Sequence, residues 1–108
     1  MYKLEFWFEH GGSCLWSSNE ESNKEYGYAV NTQKLPLSEL TRKNISDLEC
    51  EYHSYLNWEY PPDPSPWTEE HKRDFLRRAT NVYHKIVNEL GENYEVINKL
   101  DSCINFVP

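Results

Sequence analysis

The sequence predicts an α+β domain, in which a small antiparallel sheet carries two helices packed on one face. Two observations indicate this class. Apolar and polar residues alternate along residues 1–9, which is typical of a half-buried strand. Apolar residues recur about every 3.6 positions along 38–56 and again along 66–90, which is typical of amphipathic helices. Short apolar segments elsewhere complete a predicted order of β-β-β-α-α-β.

The first two predicted strands form a hairpin. After the first strand, a Gly-Gly pair permits the positive φ angles of a two-residue turn. Residues 14–16 then return antiparallel. In this register Phe8 lies opposite Leu15, on the apolar face. Trp7 lies opposite Trp16, so two tryptophans are expected to meet on the polar face of the sheet.

The next segment connects the hairpin to the first helix. Its polar residues predict a loop over 17–25, and its apolar residues predict a third strand over 26–30. The helix is predicted to begin after Ser38, a favourable N-cap residue, and to run to about residue 56. A second start signal follows at Ser46, so the helix is expected to break near Asn44.

The second helix has signals at both ends. Ser65 is predicted as its N-cap and Pro66 as its first residue, and Gly91 is predicted to end it. Strands are predicted at 94–97 and 103–107. The predicted core consists of Leu4, Phe6, Phe8, Leu15, Leu48, Tyr52, Phe75, Ala79, Val82, Ile86, Val96 and Ile97.

The charge balance restricts the partners. The chain has 18 Asp and Glu against 11 Lys and Arg, a formal net charge of −7. Binding to phosphates and anionic lipids depends on basic side chains, so we expect no direct nucleic-acid partner and no membrane partner. A basic protein is the complementary partner, although the charge could also serve solubility. The sequence also allows a homodimer through Trp7, Trp16 and the strand edges.

Length and cysteine content indicate the compartment. The 108 residues suit a single domain, 1–108. Residues 1–10 lack the apolar stretch of a signal peptide, and no apolar run approaches the ~20 residues of a membrane-spanning helix. Three cysteines, an odd number, argue against a disulfide framework. We therefore expect a cytoplasmic protein.

The stretch "EHGGSCLW" (9–16) carries residue types that catalysis or metal binding could use. Cys14 as nucleophile with His10 as base is disfavoured, because the predicted register places them on opposite faces. The G-x-S-x-G pattern of a serine hydrolase is also missing from the sequence, so we predict no enzyme and no cofactor. The alternative is a small metal-binding or enzymatic domain that uses His10, Cys14, Cys50 and His53.

Acidic and aromatic residues are interleaved in the middle of the chain. Between Asn44 and His71 there are seven carboxylates and no Lys or Arg, and prolines stiffen the segment. Such a surface suits a basic protein partner, whereas the alternative is that its tryptophans fasten the segment to the core. The predicted partner-binding residues are Glu49, Glu51, Trp58, Glu59, Tyr60 and Asp63, with Trp7, Glu9 and Trp16 as a second patch.

Four stretches resemble small acidic bacterial immunity proteins of polymorphic or contact-dependent growth inhibition toxin systems. They are "LEFWFEHGGSCLW" (4–16), "LPLS" (35–38), "LNWEYPPDPSPW" (56–67) and "ELGENYEVIN" (89–98). The resemblance implies neutralisation of a toxin by direct binding. Immunity proteins have many unrelated folds, so the resemblance implies no particular site residue.

The combined prediction is an immunity or antitoxin protein. We expect it to bind a cognate, basic, nuclease-type toxin domain and to block its active site or substrate channel. Besides the metal-binding alternative, an acidic adaptor or a phage-encoded inhibitor of a nucleic-acid enzyme would use the same binding mechanism with a different partner.

Overall fold

Three strands form one mixed sheet in the computed structural model, which describes residues 1–9, 13–55 and 65–104. The strands are β1 (Tyr2–Phe6), β2 (Leu15–Ser17) and β3 (Tyr94–Asn98), in the order β2-β1-β3. β1 is antiparallel to β2 and parallel to β3. The prediction of a purely antiparallel sheet is therefore wrong at β3. Helices separate β1 from β3 along the chain, and such a long connection permits parallel pairing.

The hairpin register differs from the prediction by two residues. Phe6, not Phe8, lies opposite Leu15, and the Trp7 N–H donates to the Cys14 carbonyl at 3.0 Å. The connection is thus longer than a two-residue turn, and residues 10–12 within it lie outside the described residues. Because side chains alternate with a period of two, a shift of two residues leaves Trp7 and Trp16 on the same face.

A short helix, α1 (Glu20–Tyr26), replaces most of the predicted polar loop. The Asn19 side chain accepts a hydrogen bond from the Ser22 N–H, and Ser22 reaches back to the Asn19 N–H, which makes a capping box. Gly27 ends the helix with a φ of 77°. The predicted strand over 26–30 is correspondingly wrong, and a single bridge between Ala29 and Trp16 remains of it.

The first predicted helix is α2 (Glu39–Tyr52), capped by Ser38 as predicted. It runs through Asn44 without the predicted break and ends in a 3₁₀ turn, His53–Tyr55.

The second predicted helix is α3 (Glu69–Leu90), which ends at Gly91 as predicted. It begins later than Pro66, because the Thr68 hydroxyl accepts a hydrogen bond from the His71 N–H and is the N-cap in place of Ser65. The fold is thus α+β as predicted, but with three α-helices and not two. A 3₁₀ turn at Leu100–Ser102 precedes the predicted strand over 103–107. Its first two residues are not in a strand, and residues 105–107 lie outside the described residues.

The core lies between the sheet and the helices α2 and α3. Phe8 connects them, since its ring centroid lies 5.2 Å from that of Phe75 and 5.7 Å from that of Tyr52. Every predicted core residue is buried there except Ile97, which is only partly buried. The core also contains residues that were not predicted: Cys14, Val30, Leu35, Leu37, Ile45, Tyr55, Trp67, Leu90, Leu100 and Ile104.

An ion pair between Glu51 and Arg78 joins α2 to α3. Two guanidinium N–H groups of Arg78 donate to the two Glu51 oxygens at 2.7 and 2.6 Å, and Asp74 accepts from the Arg78 Nε at 2.8 Å. His71 Nε2 lies 2.9 Å from Glu51 Oε2. The His71 ring stacks on Trp67, with ring centroids 3.9 Å apart. The pair therefore links the last turn of α2 to the first half of α3.

Replacing Arg78 with methionine is expected to lower the free energy of unfolding at pH 7 by about 1–3 kcal/mol, measured by urea denaturation. The change leaves the half-buried Glu51 carboxylate without its guanidinium. The expected loss of stability is smaller than for a fully buried ion pair, because the side chains of Arg78 and Glu51 are 36% and 26% exposed. Arg78 lowers the pKa of Glu51, so this stabilisation is present above the ordinary glutamate pKa and is lost as pH falls through the lowered one.

Arg77→Met is the matched control. The Arg77 side chain is 64% exposed and bonds Asp74, so its loss is expected to cost less than about 0.5 kcal/mol. Equal destabilisation by the two variants would contradict a specific role for the Glu51–Arg78 pair.

Candidate functional site

Two tryptophans and a tyrosine form an aromatic stack on the outer face of the sheet, opposite the core. The rings of Trp7 and Trp16 lie 4.5 Å apart between centroids, with planes 16° apart, so the predicted contact is confirmed. The Trp16 Nε1–H donates to the Trp7 carbonyl at 2.9 Å. Tyr28 covers the other side of Trp16 at 5.2 Å and is itself 58% exposed. Trp16 itself is only 5% exposed, so Trp7 and Tyr28 supply the accessible part of this preformed aromatic stack (Trp7, Trp16 and Tyr28).

Carboxylates adjoin the aromatic stack. Glu5 lies directly opposite Trp16 in the β1–β2 pairing and is half-buried. Glu9 follows Trp7 by two residues and is exposed. On the other side, Tyr28 and Glu20 line the same shallow groove, which brings α1 next to the stack. The structure thus brings Trp7 and Trp16 of the second predicted patch together, whereas the charge of Glu9 acts on the core residue Tyr52, where it adds to the effect of burial in raising the pKa of the hydroxyl.

Glu49 lines a polar cavity between α2 and the segment that follows Tyr28. The cavity has a volume of about 280 Å³ and is lined by Ser13, Ala29, Val30, Asn31, Thr32 and Glu49. Burial raises the pKa of the Glu49 carboxyl to about 7. Within residues 1–9, 13–55 and 65–104, no cation and no hydrogen-bond donor contacts this carboxylate.

Glu51 differs from Glu49 although it lies only two positions further along α2. Its carboxylate is bonded to Arg78 and His71, and these partners lower its pKa. Its charge is therefore largely offset within the protein. The remaining predicted partner-binding residues, Trp58, Glu59, Tyr60 and Asp63, lie outside the described residues.

The residues of the metal-binding alternative do not form a described site. Cys14 is 1% exposed and belongs to the core. The predicted hairpin register places Cys14 on the outer face of the sheet with Trp7, and this prediction is wrong. Burial raises the pKa of the Cys14 thiol well above its usual range, which opposes both nucleophilic attack and metal ligation. Cys50 and His53 are exposed on α2 and the turn after it, and His10 lies outside the described residues. In the described part of the chain, no three His, Cys, Asp or Glu side chains gather as metal ligands would.

Sequence reasoning did not identify Tyr28 or the cavity beside Glu49. The strand predicted over 26–30 included Tyr28 and so gave it no role at a surface. Gly27 follows a polar stretch with a good N-cap residue, and a glycine in that position is a helix-end signal that argues against the strand. Cavity residues such as Asn31 and Thr32 carry no sequence signal, because the cavity arises from packing between distant segments.

Most of the chain matches a known protein family. A family model described as Serratia CdiI immunity protein-like matches residues 2–99, a range that contains the aromatic stack and the Glu49 cavity. No curated protein matches the chain. No helix in the described residues is long and apolar enough to cross a bilayer. The family match supports an immunity or antitoxin role with a cognate toxin as partner, and the chain belongs to the Serratia CdiI immunity protein-like family.

Proposed function

We propose that this immunity protein binds a basic, nuclease-type toxin domain and inhibits it without catalysis, by covering its active site or substrate channel. The observation that carries the proposal is the aromatic stack flanked by carboxylates, on a chain with a net charge of −7. A nuclease needs positive charge to hold phosphates, so an acidic protein surface can occupy the same channel.

The aromatic stack supplies the anchor of the proposed interface. Trp7 and Trp16 already hold each other in place through ring stacking and the indole hydrogen bond. Binding therefore requires little further loss of side-chain freedom, which is a major cost of association. Tryptophan and tyrosine are also enriched among the residues that dominate interface energies.

The carboxylates supply attraction and orientation. Glu5 lies beside the aromatic stack, and Glu9 follows Trp7 by two residues along the chain; Glu20 adjoins Tyr28, although Lys24 lies 3.2 Å from its carboxylate. Negative charge around an aromatic centre speeds the approach of a basic partner and disfavours acidic ones. The proposal retains Trp58, Glu59, Tyr60 and Asp63 as further contact residues, because they continue the acidic and aromatic pattern of the sequence.

Co-expression with the product of the adjacent upstream reading frame tests the function directly. We expect a complex that survives purification, and restored growth of cells that the upstream product alone would arrest. The physical basis is occlusion, so nuclease activity of the upstream product should disappear in the complex. Growth arrest that persists, with no complex recovered, would refute the proposed function.

Substitution of Tyr28 by alanine tests the anchor. Loss of an accessible interface ring should raise the Kd for the toxin about tenfold or more, measured by titration calorimetry. Leu40→Ala is the control, because Leu40 is a similarly exposed apolar side chain, at 63%, on α2. Both variants should keep the thermal midpoint of the parent. If Leu40→Ala weakens binding as much as Tyr28→Ala does, the aromatic stack is not the anchor.

A further inference from the structure

The cavity beside Glu49 has the size and lining of a site for one side chain. Its volume of about 280 Å³ lies at the lower limit of small-molecule pockets, which occupy roughly 300–1,000 Å³. Ser13, Asn31 and Thr32 bring polar groups to its wall. Hydroxyl and amide oxygens of this kind accept hydrogen bonds from N–H groups. The lining therefore suits a polar occupant, and the Glu49 carboxylate, which only accepts when ionised, favours one that donates.

Glu49 gives the cavity its charge. Several other carboxylates of the helices have partners within the protein: Glu51 bonds Arg78, and Asp47 accepts from the Lys43 ammonium at 3.0 Å. Glu89, which belongs to α3, accepts the Ser38 N–H at 2.6 Å. Glu49 has no such partner in the described part of the chain, and it is half-buried. A partly desolvated carboxylate without a counter-charge is unfavourable, and a cation placed beside it would relieve that cost.

The position of the cavity connects it to the aromatic stack. Ala29 lines the cavity and forms a backbone bridge to Trp16, while Tyr28, the preceding residue, packs on the Trp16 ring. The cavity and the stack are therefore adjacent along the chain.

We infer that the Glu49 cavity receives a single lysine or arginine side chain of the toxin, whose charged group pairs with the Glu49 carboxylate. This inference rests on the proposed function and names the chemical group that its interface recognises. A metal ion is a poorer occupant, since Ca²⁺ and Mg²⁺ take several oxygen ligands and Glu49 supplies the one carboxylate among the described lining residues. An ammonium or guanidinium group needs one carboxylate and a few neutral acceptors, which is what the cavity offers.

In the described part of the chain, the charged and titrating groups near the cavity include two thiols, the His53 imidazole and the Arg42 guanidinium, which donates to the Thr32 carbonyl at 3.3 Å. The thiols of Cys14 and Cys103 belong to or pack against the core on its inner side, and burial raises the pKa of both, so they stay protonated through neutral pH. His53 lies one turn further along the chain and is exposed. Imidazoles as a class titrate near neutral pH, so a His53→Gln variant controls for its contribution.

Glu49→Gln should stabilise the free protein in a pH-dependent way. The pKa of Glu49 is raised to about 7, so the native state holds a proton that the unfolded state gives up near pH 4.5. The parent therefore loses stability as pH rises between these values, and the glutamine variant does not. At pH 8 the variant should have a folding equilibrium constant about tenfold larger, after discounting for partial exposure, and the gain should shrink toward pH 5. Urea denaturation at both pH values measures this, and an unchanged or lowered stability at pH 8 would contradict a desolvated charge.

The decisive measurement is the affinity of each variant for the toxin, separated from the co-expressed complex in denaturant and refolded. Glu49→Gln should raise the Kd at pH 8 about tenfold or more, although the free variant is more stable. The parent should bind more tightly at pH 8 than at pH 6. At pH 6, where the Glu49 carboxyl is largely protonated in the free protein, binding should release its proton. Calorimetry in two buffers of different ionisation enthalpy reports that proton. The release should vanish in Glu49→Gln and persist in His53→Gln.

Asp47→Asn is the matched control, because it removes the same charge from an exposed position on the same helix. Equal weakening by Asp47→Asn and Glu49→Gln would overturn the inference in favour of a general charge effect. An unchanged Kd for Glu49→Gln would overturn it while leaving the proposed function intact. Failure of the parent to bind the toxin would overturn both.

Discussion

The distribution of charge on the protein depends on the rotation of α2 about its own axis, which its buried stripe sets by packing into the core and which the Glu51–Arg78 ion pair supports. Two positions along an α-helix correspond to about 200°. With Glu51 held toward α3, Glu49 must point to the opposite side, where the segment 29–32 passes. The same rotation places Ile45 and Leu48 in the core between these two directions. The packing of one helix thus decides that the Glu51 carboxylate meets Arg78 and that the Glu49 carboxylate does not.

The sequence predicted those parts of the fold that local periodicity determines. The length and apolar stripe of α3 give a strong 3.6-residue pattern, and its end at Gly91, with a φ of 76°, follows from glycine chemistry. The faces of the hairpin were also predicted, even though its register was wrong by two residues, because parity alone sets the face. The helix α1 was missed, since its seven residues are polar and depend on a capping box for their start. The parallel pairing of β3 was missed because strand periodicity carries no information about which distant strand pairs with which.

The candidate site was predictable in composition but not in arrangement. Interleaved acids and aromatic rings identified the relevant residue types, and the contact between Trp7 and Trp16 followed from their shared face. The different environments of Glu49 and Glu51 did not follow, because Arg78 lies 27 residues after Glu51 and helical periodicity does not specify which acid it meets. Cys14 likewise entered the core only because the chain leaves regular strand geometry just before β2.

The unneutralised Glu49 has a consequence for how an inhibitor of this type can discriminate among toxins. A carboxylate already bonded to an internal arginine, like Glu51, gains little from a partner, since the partner must compete with a charge that is fixed in place. A partly buried carboxylate without a counter-charge contributes more binding free energy when a partner supplies a cation. It also weakens binding more when the partner presents an apolar or acidic group at the same position. On the proposed function, the aromatic stack would therefore provide affinity that many basic surfaces could share, whereas the cavity would test one position of the toxin for a cation. Affinity and specificity would then depend on different parts of the interface. A toxin variant could avoid neutralisation by replacing the residue that enters the cavity, without any change opposite the stack.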